Sequence, residues 1–233
     1  MRSIEDGPCH WDGITTRGSI FSPICLFLFS FGCLTGSQRR LQKVKQVKAN
    51  IMATKLSEYN NSWYKPGPPL KRLCWYWVNL LFFNNGLFPF YGMKTFLLRL
   101  FGARIGKGVF IKPSVNIKYP WLLEMGNDIW IGENVWIDNL AKVTIGNDVC
   151  LSQGAFLLTG NHDYNKETFD LSVKPIILED GVWIGAKAIV CPGITCGSHA
   201  VLSVSSVATS DLLPFSIYSG NPAQKIKERI FKV

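Results

Sequence analysis

The chain has 233 residues, of which 47% are apolar and 18% charged, so its composition excludes a largely disordered protein. The net charge of +9 divides into +4 over residues 1–51, with seven Lys/Arg and three acids, and +5 over residues 52–233, with eighteen and thirteen. Without a concentrated basic run, this excess predicts no nucleic-acid partner. It suits an anionic cofactor and a membrane surface equally well.

Seven cysteines stand at positions 9, 25, 33, 74, 150, 191 and 196. They form no Cys-x-x-Cys pair and show no Cys–His spacing typical of zinc sites, so we expect no metal. An odd number in a chain this long favours reduced thiols in a cytoplasmic protein. We interpret Cys150, Cys191 and Cys196 as packing thiols.

The first 51 residues differ from the rest, and we predict a non-native or disordered leader over 1–51. Ile20–Leu34 is a fifteen-residue apolar run that contains Pro23, and a basic stretch follows. From Met52 the chain resembles an ordinary protein start. Three interpretations compete, namely a secretory signal, a membrane anchor, and translation upstream of a true start at Met52.

Over residues 52–103 we predict an N-terminal extension followed by a group of helices, which we call the collar. One helix is expected over Leu70–Phe83 with a stop at 84–86, and a second over Met93–Phe101 that ends at Gly102. Aromatic side chains are frequent over 70–101. Two roles stay open for them, peripheral contact with a membrane and capping of the domain that follows. Capping is favoured, because large apolar patches are usually covered.

A six-residue repeat begins at Ile105 and determines the predicted fold. Aliphatic residues recur every six positions, and triplets of sixes begin at Ile105, Met125 and Ile145. One coil therefore takes twenty residues, three sixes plus a two-residue corner insert. After an interruption the repeat continues in sixes from Leu178 to Leu202. This spacing predicts a mainly β protein, a three-sided parallel β-helix over 104–217, with the aliphatic side chains along its axis.

The interruption at 158–177 predicts a polar loop that leaves a corner of the column. It carries His162, whereas His10 lies in the leader and His199 at a repeat corner. Imidazole is a base near neutral pH, and a loop on a rigid scaffold is a common place for a catalytic group. From the residues alone, a surface His that caps a turn with Asn161 and Asp163 is an equal alternative.

The C-terminal segment 218–233 predicts a turn and a short helix. Asn221 is a candidate N-cap and Pro222 a first helical residue, so a helix is expected over 222–230, covering the open end of the column.

These features resemble the hexapeptide-repeat acyltransferases, and among them the colanic-acid-type exopolysaccharide acetyltransferases, which are related to maltose and galactoside acetyltransferases. The resemblance covers about residues 53–231. Its stretches are FLLRLFGARIGKGVFIKPSVNIKYPW (96–121), WIDNLAKVTIG (136–146), TGNHDY (159–164), KPIILEDGVWIGAKAIVCPGITCGS (174–198) and YSGNPAQKIKERI (218–230). It implies a left-handed coil and transfer of acetyl from acetyl-CoA to a sugar hydroxyl.

The resemblance also implies roles for single residues. His162 is the expected general base, and the Ala186 N–H the expected oxyanion donor. Asp138 and Asn139 are expected to bind the acceptor, although an Asx corner cap is an equal interpretation of both. What orients His162 stays open between Glu179 and a backbone carbonyl.

For coenzyme A, the resemblance points to a groove lined by Trp183, Ala186, Val204 and Thr209. Relatives often have Gly-Ala-Gly where this chain has 203–205, Ser-Val-Ser, and Lys where it has Ser210. Lys227 is the expected replacement for the missing phosphate contact, with Lys225 and Arg229 as alternatives. A different acyl group therefore stays open.

The resemblance further implies a homotrimer with sites between protomers, a free or lipid-linked sugar acceptor, and a cytoplasmic or inner-membrane-associated location. A cytosolic acetyl donor favours upstream translation over export for residues 1–51. The rivals are an N-acyltransferase for amino sugars, a zinc enzyme like the γ-type carbonic anhydrases, and a non-catalytic scaffold. The zinc enzyme lacks His ligands, and the retained His loop argues against the scaffold.

Overall fold

The computed structural model describes residues 36–51 and 53–232. Contacts divide the chain into two units, 1–51 and 52–233. In the first unit, helix α1 spans Gly36–Ile51, within the leader predicted over 1–51. Residues 1–35 of that predicted leader lie outside the described residues. No helix within the described ranges is long and apolar enough to cross a membrane.

The second unit begins with the collar, which consists of helices α2 (Pro69–Val78) and α3 (Tyr91–Leu100). A short 3-10 helix, Leu56–Glu58, precedes it. Helix α2 continues as a π-helical turn, Asn79–Phe83, where the predicted helix also stopped. Gly102, with φ +99°, follows α3 at the predicted position, since a left-handed residue after a helix favours glycine.

Three parallel sheets form the faces of the column, as the six-residue repeat predicts. Face A contains β1 (Arg104–Ile105), β4 (Leu123–Met125), β7 (Val143–Ile145), β12 (Ile176–Leu178) and β15 (Thr195–Cys196). Face B contains β2 (Phe110–Ile111), β5 (Trp130–Ile131), β8 (Cys150–Leu151), β13 (Trp183–Ile184), β16 (Val201–Leu202), β18 (Ser216–Gly220) and β19 (Ala223–Glu228). Face C contains β3 (Asn116–Ile117), β6 (Trp136–Asp138), β9 (Phe156–Leu158), β14 (Ile189–Val190) and β17 (Val207–Ala208). The remaining pair, β10 (Gly160–His162) and β11 (Leu171–Val173), is an antiparallel hairpin in the predicted loop.

The core is the stack of aliphatic side chains that the repeat places on the axis. Leu151, for example, is fully buried and pairs in register with Ile131 below and Ile184 above. Coil length differs on the two sides of the hairpin. Trp130 pairs with Cys150 twenty positions on, whereas Trp183 pairs with Val201 only eighteen positions on. The twenty-residue coil thus holds only before the hairpin. The coil after it consists of three sixes, and the next step along face B, from Val201 to Ile217, takes sixteen residues.

Corner side chains hydrogen-bond from coil to coil. Asn147 Oδ1 accepts from the Asn127 N–H at 2.9 Å, and Asp180 Oδ1 accepts from the Asn147 N–H at 2.7 Å. Gly126 precedes Asn127, and an added Cβ there would lie 2.6 Å from Asn147 Oδ1. Glycine is required because the coils approach so closely at this corner.

The collar satisfies the open carbonyl edge of the first coil with one side chain for each face. Arg99 Nη2 donates to Gly106 O at 2.7 Å beside face A, and Lys94 Nζ donates to Lys112 O at 2.8 Å beside face B. Trp75 Nε1 donates to Ile117 O at 2.8 Å on face C. An uncovered sheet edge would leave these carbonyls without partners. Capping of the column is therefore one role of the collar.

The helices of the collar nevertheless keep a second, outward apolar side. Trp75, Phe83 and Leu98 are buried in the core on the inner side. Large apolar side chains between 47% and 91% exposed form what we call the outer collar face: Leu70, Leu73, Trp77, Leu81, Leu87, Phe90, Met93, Phe96 and Leu100.

The predicted C-terminal helix over 222–230 is wrong. β18 and β19 form an antiparallel hairpin instead, and Asn221-Pro222 lies in its turn. β18 pairs with β16 and so extends face B by one further strand. Because the exposed edge of face B offers hydrogen bonds to a strand, pairing outweighs the local signal for a helix start.

Candidate active site

The column has three edges, and most of the predicted site residues lie at two of them. At the edge where the chain turns from face C to face A, Asp138 ends strand β6. The residues that follow strands of face C at this edge are Asn139, His162 and Thr209. Trp183 lies on face B. Ala186 and Val204 lie at the edge between faces B and C. We call these the C–A edge and the B–C edge.

His162 is half-buried at the end of β10 and is held on three sides. Its Nδ1 lies 2.9 Å from the backbone oxygen of Phe169. The Phe169 ring stacks on the imidazole with centroids 4.4 Å apart and an interplanar angle of 7°. Tyr59 of the N-terminal extension lies on the imidazole too, at 5.7 Å between centroids. The ring orientation is therefore set by packing and by one hydrogen bond.

The hydrogen bond to Phe169 determines the tautomer. A carbonyl oxygen can only accept, so Nδ1 must carry the proton. The neutral ring then presents an unprotonated Nε2, which is the atom that accepts a proton in general-base catalysis. A backbone carbonyl is thus the orienting group, while the carboxylate of Glu179 bonds to Ser198 at 2.7–2.8 Å at another corner.

The hairpin that carries His162 is fastened to the rest of the chain. The Lys55 N–H donates to Glu167 O at 2.7 Å, and the two side chains pair at 3.2 Å. Phe169 adopts φ +51°, a conformation that costs a non-glycine residue about 1–2 kcal/mol. This conformation directs its carbonyl and its ring toward His162. At the base of the hairpin, Gly160 packs against Leu140, and an added Cβ would lie 2.5 Å from Leu140 Cδ1.

The acceptor residues predicted on the C–A edge have different environments. Asp138 is mostly buried, and the Lys118 ammonium lies 2.9 Å from its Oδ1. Asn139 is fully buried and bonds both ways to the Tyr119 backbone, at 2.9 and 2.6 Å. These bonds match the corner cap that the sequence offers as the alternative role of Asn139. Tyr64 closes this corner by donating to Leu140 O at 2.7 Å.

The B–C edge carries the predicted donor groove. Trp183 is 47% exposed, and its Nε1 donates to Ser152 Oγ at 2.9 Å. Val204 is 65% exposed one coil above. The Ala186 carbonyl accepts from the Ser205 N–H at 2.9 Å, but within the described part of the chain the Ala186 N–H donates to no protein acceptor. It is available to an oxygen of a bound substrate.

The remaining donor residues are separated from this groove. Thr209 is exposed on the C–A edge, and Lys227 is exposed on β19. Of the three candidate cations, Lys225 pairs with Glu228 at 2.6 Å and Arg229 bonds to the carbonyls of Gly181 and His199. Lys227 forms no ion pair among the described residues, so it keeps its charge available for a phosphate.

The thiols have the character of packing groups. Burial raises the pKa of Cys196 to about 12, and burial also raises the pKa of Cys150 and of Cys191. A raised pKa disfavours the thiolate that nucleophilic catalysis needs. Within residues 36–51 and 53–232, no three His, Cys, Asp or Glu side chains come together as metal ligands.

Sequence reasoning missed the surroundings of His162. Tyr59 gave no signal because it comes from the extension, and the Lys118–Asp138 pair gave none because it joins two coils. Phe169 gave none because only the hairpin pairing and its φ of +51° bring it onto His162. Thr159 was also missed. Its hydroxyl donates to Asp138 O at 2.8 Å and accepts from the Ala141 N–H at 3.0 Å, and this links the hairpin to the acceptor corner.

Among solved structures, the hexapeptide-repeat-containing acetyltransferase VCA0836 of Vibrio cholerae O1 biovar eltor, complexed with acetyl coenzyme A, superimposes with a TM-score of 0.63. It is 24% identical and covers 70% of this chain and 88% of that one. A protein of Escherichia coli (strain K12), named as a colanic acid biosynthesis acetyltransferase, WcaF, is 36% identical over 167 residues, 72% of this chain and 92% of that protein. This chain belongs to the hexapeptide-repeat acetyltransferases.

The acetyltransferase also superimposes on a maltose O-acetyltransferase from Clostridium difficile 630, at 25% identity and a TM-score of 0.60, over 70% of this chain and 88% of that one. No protein-family model matches the chain. These relatives confirm the predicted left-handed parallel β-helix and its assignment to the acyltransferases.

Proposed function

We propose that this acetyltransferase moves an acetyl group from acetyl-CoA to a hydroxyl of a sugar or an exopolysaccharide precursor, with His162 as the general base. The observation that carries the proposal is the bond from His162 Nδ1 to the Phe169 carbonyl at 2.9 Å, because it assigns the proton of the neutral ring to Nδ1 and makes Nε2 the proton acceptor. The relative named for colanic acid biosynthesis, the maltose O-acetyltransferase and the acetyl coenzyme A complex support the choice of acceptor and donor.

The chemistry is a direct transfer. Nε2 of His162 takes the proton of the acceptor hydroxyl as its oxygen attacks the thioester carbonyl. The Ala186 N–H donates to the oxyanion of the tetrahedral intermediate. Collapse breaks the C–S bond, and the imidazolium returns the proton to the leaving thiolate, which gives an ester and coenzyme A. The raised thiol pKa values argue against an acyl-cysteine intermediate.

We further propose that the site forms between copies in a homotrimer. His162 follows face C, whereas Ala186 precedes it, and a six-residue face spans up to about 20 Å of extended chain. No contact among the described residues joins His162 to Trp183, Ala186 or Val204. A C–A edge of one copy against the B–C edge of the next supplies both halves. Asp138 would then contact the acceptor, Trp183 and Val204 the pantetheine, and Thr209 and Lys227 the donor's polar groups.

Subunit complementation tests this arrangement. His162→Ala removes the base, and Ala186→Pro removes the proposed oxyanion donor, since proline has no N–H. Each variant alone should be inactive. Trimers assembled from a mixture should regain activity, because some interfaces combine an intact His162 with an intact Ala186. Ala186→Gly, which retains the N–H, is the matched control. Mixtures that stay inactive while forming mixed trimers would place both groups in one copy and overturn the proposal.

The acceptor is tested with a panel of sugars and nucleotide sugars, with thiol release as the readout. An O-acetyl product is an ester and is cleaved by alkaline hydroxylamine, whereas an N-acetyl product resists it. Resistant product from an amino sugar would establish the alternative N-acyltransferase, which the residues of the site do not exclude. Saturable calorimetric binding of coenzyme A, as an enzyme requires, separates both from a scaffold.

A further inference from the structure

The outer collar face remains uncovered even though the collar already caps the column. Its side chains include Trp77, Leu87 and Phe96, all more than half exposed. Apolar patches of this extent on soluble proteins generally mark a binding surface. The inner side of the same helices supplies Trp75 and Lys94 to the first coil, so the outer side is not needed for that task.

Charge is distributed in a way that identifies the partner of this face. Residues 59–123 contain nine Lys/Arg and no Asp or Glu. The rest of the chain contains the other sixteen Lys/Arg together with all sixteen acids. Residues 59–123 thus carry +9, while the +4 of residues 1–51 is offset by a net −4 over residues 124–233.

Eight of these nine cations lie on the collar helices and the first coil, where Lys94 is buried and Lys118 pairs with Asp138. Helix α3 is fixed to the first coil by Arg99, and the exposed Lys107 directly follows the bonded Gly106. Lys65 and Lys112 are exposed in the extension and the first coil. The first acid after this region, Glu124, lies on the second coil, where Arg104 and Lys142 pair with it at 3.1 and 2.8 Å.

We propose that the outer collar face docks on an anionic lipid bilayer. Helices that lie in the interface insert aromatic and aliphatic side chains, while nearby Lys and Arg attract anionic headgroups. A second copy of the chain is a poorer partner for the same face, because two such ends would bring like charges together.

The test is sedimentation of the full-length protein with vesicles. The protein should partition onto phosphatidylcholine vesicles that contain about one-third phosphatidylglycerol, and less onto phosphatidylcholine alone. Raising the salt concentration should weaken the difference, since the charges are exposed. Absence of binding to the anionic vesicles would overturn the proposal.

Two sets of variants separate apolar insertion from charge. The triple variant Leu73→Ser, Trp77→Ser, Phe96→Ser should lower the partition coefficient by about tenfold or more. Its matched control, Trp130→Ser, Leu213→Ser, Ile226→Ser, removes side chains of similar exposure elsewhere and should bind like the wild type. All substituted side chains are exposed, so near-ultraviolet circular dichroism should show an unchanged fold.

The charge variant Lys65→Gln, Lys107→Gln, Lys112→Gln should lose roughly tenfold in binding to anionic vesicles only. Its control is Lys174→Gln, Lys187→Gln, Lys232→Gln, which removes equal charge outside the region. If the variant and the control lose the same amount of binding to anionic vesicles, the binding depends only on the net charge of the protein, and the proposal is overturned. So would an outer-face triple variant that changes the oligomeric state in sedimentation velocity but binds vesicles normally.

Discussion

The coils and the hairpin hold their side chains by opposite means. In the coils, each group is supported by its counterpart above and below, as Asn127 is by Asn147 and Ile131 by Leu151. In the hairpin, His162 depends on contacts that occur once, to Phe169 and Tyr59. The column therefore provides stability, and in the proposed mechanism the hairpin provides the general base, so the two properties should be separable by mutation.

The largest expected effect is at His162. His162→Ala should lower kcat by about 10²–10⁴, while the thermal unfolding midpoint stays near that of the wild type because the hairpin lies outside the column. Steady-state thiol release and calorimetry measure the two quantities.

His199→Ala is the matched control for this prediction. His199 packs against Phe215 with ring centroids 4.8 Å apart, at the corner between faces A and B, so its loss should lower the midpoint and leave kcat nearly unchanged. Comparable losses of kcat in both variants would show that catalysis does not depend on the hairpin alone.

The converse change is in the column. Leu151→Ala should lower the free energy of unfolding by about 2–5 kcal/mol, because Leu151 is fully buried between Ile131 and Ile184. Urea unfolding measures this loss. The kcat per folded molecule should change little, and a strong fall would show that the column positions the catalytic groups by fine adjustment.

A further prediction concerns Lys94, whose ammonium caps the carbonyl edge of the first coil. Burial lowers its pKa from 10.5 to about 8. Between these values the unfolded chain binds the proton and the folded chain does not, so the stability of the wild type rises with pH across this window. Relative to Lys94→Met, the gain should amount to roughly 1–3 kcal/mol.

Urea midpoints of the wild type and Lys94→Met at pH 7 and pH 10 measure the Lys94 effect. The difference between the two proteins isolates this group from other titrating side chains. A difference that does not change with pH would mean that the buried ammonium keeps its proton throughout.

The smallest effect is expected for the support of the imidazole. Phe169→Gly keeps the carbonyl and tolerates φ +51°, but it removes the stacked ring. It should lower kcat by about tenfold with KM for acetyl-CoA unchanged, because the base is less well oriented. Phe169→Leu, which retains bulk without an aromatic face, should lose less. If the glycine variant instead raises KM for acetyl-CoA and leaves kcat unchanged, then Phe169 contacts the donor.

The fold followed from the sequence because the repeat is a local signal that is restated in every coil. Ile105, Met125 and Ile145 needed only their spacing to be placed on one face. The collar helices were predicted within a few residues for a similar reason, from periodicity and a glycine stop.

The features that could not be predicted depend on contacts between residues that are far apart in the sequence. The segment after Asn221 has the local signals of a helix start, but strand pairing at the end of face B decided its structure. For Asn139 the sequence left two roles open, because its bonds to the Tyr119 backbone join two coils. No pattern indicated Tyr59 at His162, since the two residues are about a hundred positions apart.

Every departure from the six-residue spacing falls on the C–A edge. Faces A to B and B to C always advance by six, as from Ile105 to Ile111 and Ile117, whereas Ile117 to Met125 takes eight. From Ile105 to Ala208, the number of residues between successive faces thus varies only at the C–A edge. Length can be gained or lost there without disturbing register anywhere else, and new substrate preferences can arise along it while the scaffold stays the same.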